Sequence, residues 1–61
     1  MIVATANYDD GTCETRAFKT REGARRYSEE ECKWEGTLYV ELKGLDRDGN
    51  RLNERHDGEF V

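Results

Sequence analysis

Two cysteines, one histidine and fourteen acids are the groups in this 61-residue chain whose types and spacing could do chemistry. Cys13 or Cys32 would act as a nucleophile only with a base nearby, because the thiolate is the reactive form. The one base available, His56, falls in the segment with the weakest apolar pattern, so a Cys–His pair is not expected. No Ser–His–Asp set, metal-ligand spacing, phosphate loop or dinucleotide fingerprint is present. At 14 acids in 61 residues, paired carboxylates arise by chance. The reading is therefore not an enzyme, with no catalytic residue and no cofactor. Asp46-Arg47-Asp48-Gly49-Asn50 resembles the opening of a calcium loop, but Arg51 stands where the sharp turn needs glycine and Asp57 where a bidentate Glu belongs. The same residues are good turn formers, and a polar hairpin turn at Asp48-Gly49, with no metal, is expected. A Cys13–Cys32 disulfide is geometrically open if Cys13 faces the helix; reduced thiols are expected, because nothing marks export.

The elements that position these groups follow from periodicity. Ile2 to Tyr8 alternates as a strand, with Ile2, Ala4, Ala6 and Tyr8 on one face. Asp10-Gly11 signals a hairpin into a return strand from Cys13 to Lys19. Thr20 is an N-cap for a helix from Arg21 to about Lys33, with Ala24, Tyr27, Ser28 and Glu31 or Cys32 on its inner stripe, and Gly36 stops it. Thr37 to Lys43 alternates with Leu38, Val40 and Leu42 facing the core, Trp34 caps that core, and Tyr39 lies on the outer face. Arg51 to His56 is an optional fourth strand, and Phe60-Val61 is frayed or docked. The expected fold is α+β: a single domain over 1–61 of order β-β-α-β(-β), one helix on a small, mostly antiparallel sheet, with 51–61 the least ordered part.

Charge bounds the partner. Apolar residues are 34% and charged residues 39%, with a net charge of −4. No run of ~18 apolar residues exists, so no membrane span is expected, and Met1 to Ala6 is too short and too polar for a signal peptide. Residues 16–26 carry five bases and one acid, whereas 1–15 carry three acids and 27–35 carry four acids against Lys33. The helix is thus basic at its start and acidic at its end, opposite to what its macrodipole favours. Pairs such as Glu22–Arg26, Arg25–Glu29 and Arg26–Glu30 would offset part of that. A helix arranged against its own dipole suits recognition of a protein, with Arg21, Arg25 and Arg26 as one patch, Glu29, Glu30 and Glu31 as the other, and Tyr39 as an aromatic anchor. Small sheets also bind through their edges. The alternative is nucleic acid on the basic patch Arg16 to Arg26. Against it stand a pI near 4.9, where such domains usually exceed ~9, and the acidic segments on both sides. A homodimer is a further option, because a core this thin gains from association.

From Ala4 to Lys43, about two-thirds of the chain, the layout resembles small phage-encoded takeover proteins, notably the short coliphage inhibitor of bacterial RNA polymerase. The residues that carry the resemblance are the polar hairpin, Thr20 with the early Ala24, and Gly36 before the next strand. Several anti-CRISPR proteins of similar size look alike. The resemblance implies a cytoplasmic inhibitor of a host macromolecule, with RNA polymerase or a CRISPR effector as partner. Glu35 and Glu41 stand where that family's contacts would want basic residues, and an Asp-rich turn and tail follow Gly44, so no binding residue is carried over.

Overall fold

Alternation of apolar residues with period two makes strands, and one 3.6-period stripe makes a helix. The computed structural model describes residues 1–61, which run β1 (Ile2–Tyr8), β2 (Cys13–Phe18), α1 (Arg21–Cys32), β3 (Thr37–Leu45) and β4 (Arg51–Asp57). The strands form one antiparallel sheet in the order β2-β1-β3-β4, and α1 covers one face of it, chiefly over β1 and β3. The expected α+β fold is thus the observed one, with the optional fourth strand formed. Antiparallel sheets tolerate one wet face, and here the face carrying Val3, Thr5, Asn7, Tyr39, Glu41 and Lys43 has no second layer.

Small side chains set the thickness of the core. Ala4 and Ala6 of β1 and Ala24 of α1 let the backbones approach closely, and Ile2, Val40, Leu42 and Leu52 fill the remaining volume. Thr20 caps α1, its hydroxyl accepting from the Gly23 amide at 3.1 Å. The inner row of the helix is Ala24, Ser28 and Cys32, an i, i+4 series. Tyr8, Phe18 and Tyr27 close the side of the core near β2.

The structure corrects the sequence reading at Leu38 and Trp34, and it leaves the two thiols reduced as expected. Tyr8 pairs with Thr37 but Asn7 pairs with Tyr39, so a bulge absorbs Leu38. Thr37 takes the buried position, and Leu38 is left 37% exposed. Trp34 does not cap the core: it lies beyond the last helical turn, in a loop that Asp9 and Gly36 tie to the first hairpin, and is 67% exposed. Cys13 pairs with Asn7 on the outer face, whereas Cys32 is buried beneath the helix, so both thiols are free and the sheet separates them.

The turn after β3 is a polar hairpin, as its residue types suggest. The Asp46 Oδ1 accepts from the Asp48 and Asn50 amides, both at 2.9 Å, and Oδ2 accepts from Arg21 at 3.2 Å. The carboxylate that would open a calcium loop is engaged by its own turn and by the helix.

Candidate functional site

Once Leu52 of β4 faces the core, period two places Glu54 and His56 on the same face, beside the helix. There they meet Ser28 and Arg25. The Ser28 hydroxyl lies 2.7 Å from His56 Nδ1, and His56 Nε2 lies 3.0 Å from Glu54 Oε1. A carboxylate only accepts, so Nε2–H donates to Glu54, and Nδ1 is left to share a hydrogen bond with the Ser28 hydroxyl, which can donate or accept. Arg25 closes the chain with two bonds to Glu54, Nε to Oε1 at 3.1 Å and a second from its terminal nitrogen to Oε2.

This is a Ser–His–Glu connectivity that local spacing does not reveal, because Glu54 and His56 lie 26 and 28 residues beyond Ser28 in the chain. A signal for it exists in the sequence: Ser28 lies on the inner helical stripe, and Glu54 and His56 share parity with Leu52. Yet the arrangement does not present a nucleophile. Ser28 is 0% exposed, and none of the three surface clefts includes Ser28, His56 or Glu54. Ser28 also sits within an α-helix, whose surrounding amides are engaged in the helix and give no oxyanion hole. The Cys32 thiol donates to the His56 carbonyl at 3.5 Å, not to the imidazole, and burial pushes its pKa up, away from a reactive thiolate. What the four side chains do is tie α1 to the exposed edge strand β4.

Arg25 holds the Glu54 carboxyl below the usual carboxylate range. A lowered pKa in the folded state adds stability that is complete above the ordinary carboxylate range and is lost as pH falls through the lowered value. Asp46, held down first by the Asn50 amide, and Asp10, held down by Thr12, act in the same direction. Urea midpoints measured from neutral to acid pH are therefore expected to fall steadily as the carboxylates protonate. Glu54→Gln is expected to lower the neutral midpoint and flatten the acid slope.

The residues proposed from sequence for partner binding fall into separate groups. Arg21 is bound to Asp46, Arg25 to Glu54, and Glu31 accepts a hydrogen bond from Tyr8. Arg26, Glu29 and Glu30 stay on the exposed side of α1, where Glu30 faces Lys33 at 3.8 Å. The expected Glu22–Arg26, Arg25–Glu29 and Arg26–Glu30 pairs are not formed: Arg25 is taken by Glu54 on β4, Glu30 faces Lys33, and Arg26 pairs with neither acid. Tyr39 lies on the opposite side of the sheet from the helix, half-buried beneath the Arg55 guanidinium at 3.9 Å from its ring centre. It cannot share one flat surface with the helix residues. It follows that Arg25→Glu, which sets two carboxylates against each other, is expected to lower the melting temperature. Arg26→Glu should leave stability within about 0.5 kcal/mol.

The register also sorts the charges. The row Thr15–Thr5–Glu41–Arg55 crosses the middle of the sheet. The half beyond it that holds the end of α1 contains nine acids (Asp9, Asp10, Glu14, Glu29, Glu30, Glu31, Glu35, Asp57 and Glu59) against Lys33 alone. The other half contains eight bases against four acids, and Glu41 and Arg55 of the dividing row cancel. The acidic segments that flank Arg16–Arg26 in sequence therefore come together at the far end of a molecule 34 Å long. Exposed apolar side chains join them there. Trp34, Leu38, Phe60 and Val61 belong to segments linked by the Gly58 amide on the Leu38 carbonyl at 2.9 Å and the Glu59 amide on the Cys32 carbonyl at 2.9 Å.

No family model, curated protein or solved structure matches the chain.

Proposed function

We propose that the chain is a protein-binding inhibitor or modulator of a host macromolecular machine, acting by occlusion and carrying out no chemistry of its own. The host setting is what the likeness to phage takeover proteins implies. The observation that carries the binding reading is the coincidence, at one end, of an exposed Trp34, 67% accessible, and Phe60, 63% accessible, with nine acids against one base. Tryptophan is the residue type most enriched among interface hot spots, and a charged surround steers encounter and sets partner choice. The fitting partner is a protein surface with an apolar recess rimmed by Lys and Arg. Glu29 and Glu30 belong to this docking end; Arg26 lies outside it.

A specific observation also favours nucleic acid as a second reading. Lys19, Arg26, Arg47 and Arg51 form no ion pair within the chain, and the acidic segments that would repel phosphates lie at the other end. Affinity capture from bacterial lysate, with and without nuclease, separates the two. One protein enriched in both samples supports the inhibitor. Enrichment that disappears with nuclease and falls steeply with salt supports nucleic acid on the basic end.

A further inference from the structure

One edge of β2 is unpaired, because β2 ends the sheet order β2-β1-β3-β4. Across the first hairpin the Tyr8 amide donates to the Thr12 carbonyl at 3.0 Å. Amide directions alternate along a strand, so Glu14, Arg16 and Phe18 point their backbone groups at β1. Cys13, Thr15 and Ala17 present theirs at the open edge. This edge carries no proline, glycine or lysine and no covering element, because α1 lies chiefly over β1 and β3. Its one guard is the pair Glu14 and Arg16, charged residues on the helix face opposite Ala6 and Ala4.

We propose that the chain forms a symmetric dimer through antiparallel β2–β2 pairing centred on Thr15, joining two four-stranded sheets into one. The charges select this register. A two-fold axis perpendicular to the sheet keeps both helices on one side and sets residues of like face opposite each other. Two such registers pair at least five residues of β2. The one centred on Arg16 places two arginines on the axis. The one centred on Thr15 places Glu14 opposite Arg16 of the second copy, twice, at the positions where cross-strand side chains come closest. The same test excludes the other edge. On β4, the registers centred on Asn53, Glu54 and Arg55 oppose Arg51 to Arg55, Glu54 to itself and Arg55 to itself, respectively.

A second, longer-range match supports the same axis. Thr15 lies in the row that divides the acidic from the basic half, so antiparallel pairing sets the acidic half of each copy beside the basic half of the other.

Sedimentation equilibrium tests the proposal. The wild-type chain is expected at twice its chain mass. Arg16→Glu, which sets the new carboxylate opposite Glu14 of the second copy, should weaken association at least about tenfold. The double exchange Glu14→Arg with Arg16→Glu restores opposite charges and should restore the dimer. The exchange removes the Arg16–Tyr27 stacking but keeps opposite charges at positions 14 and 16 of one chain, where Arg16 Nε holds Glu14 at 3.0 Å. The deciding arm therefore mixes Arg16→Glu with Glu14→Arg: neither chain then has that internal pair, and a heterodimer is expected from the contacts between copies alone. In a Cys13→Ser background, Thr15→Cys should give a disulfide-linked dimer on oxidation, because directly opposed residues lie within bridging distance. A wild-type chain monomeric at millimolar concentration overturns the proposal. So does an Arg16→Glu variant that dimerises unchanged, or an exchanged variant that is folded by circular dichroism yet monomeric.

Discussion

Gly44→Ala is expected to cost about 2–4 kcal/mol and to lower the melting temperature by more than about 10 °C. Gly44 has φ +138°, a region that side chains rarely adopt. An added Cβ would also run into the Met1 carbonyl and the Ile2 Cα, both backbone atoms that a side-chain rotation cannot move aside. The close approach is what lets the Leu45 amide reach the Met1 carbonyl at 3.1 Å, and Ile2 directly opposite Gly44 is a fully buried core residue. Strain at this position is therefore passed into the core. Gly49→Ala is the control. Its φ is +81°, but nothing lies within 4 Å of an added Cβ, so only the backbone penalty of about 1 kcal/mol applies. Thermal melts of the two variants separate steric from conformational cost.

Leu42→Ala is expected to destabilise by about 2–5 kcal/mol, enough to unfold much of the population of so small a domain. Three of the eight core residues are alanines and one is a cysteine, leaving only Ile2, Val40, Leu42 and Leu52 as larger aliphatic side chains. Leu42 sits opposite Ala4 and beside Glu54, at the centre of the cluster it forms with Ile2, Val40 and Leu52, so its truncation removes contacts to each of them. A urea titration should show a much lower midpoint. Leu38→Ala, at a bulged and exposed position, should move the midpoint far less. Equal effects at the two positions would contradict the observed face assignment of β3.

The bounds of β1 and α1 are legible in the sequence because each carries one clean period and one clear boundary signal, whereas β2 and β4 have weak apolar patterns and are set by their turns. Ile2, Ala4 and Ala6 alternate without interruption, Thr20 caps, and Gly36 stops. Leu38 departs from its pattern for a physical reason: a bulge shifts the period by one residue, and its cause lies in how Tyr8 meets Thr37, which a local pattern does not contain. Trp34 departs because large apolar residues are expected inside, whereas the tight Asp9–Gly36 link carries its loop away from the core. The candidate site is less legible still. The charge alternation along α1 is visible, but the separation into an acidic and a basic half is a property of register. It arises because the hairpin residues Asp9, Asp10 and Glu14 return beside Glu29 to Glu35. Likewise, the fates of Arg21 and Arg25 are decided by Asp46 and Glu54, partners 25 and 29 residues away.

The central claim is that the acidic, aromatic-bearing end does the binding. Parallel affinity capture with three baits tests it most directly: the wild-type chain, Trp34→Ala with Glu30→Lys, and Lys19→Glu with Arg47→Glu, each checked for folding by circular dichroism. A partner that survives nuclease, is lost from the Trp34→Ala bait and is retained by the Arg47→Glu bait is the expected result. Retention by the first variant and loss from the second would contradict the account and move the functional surface to the basic end.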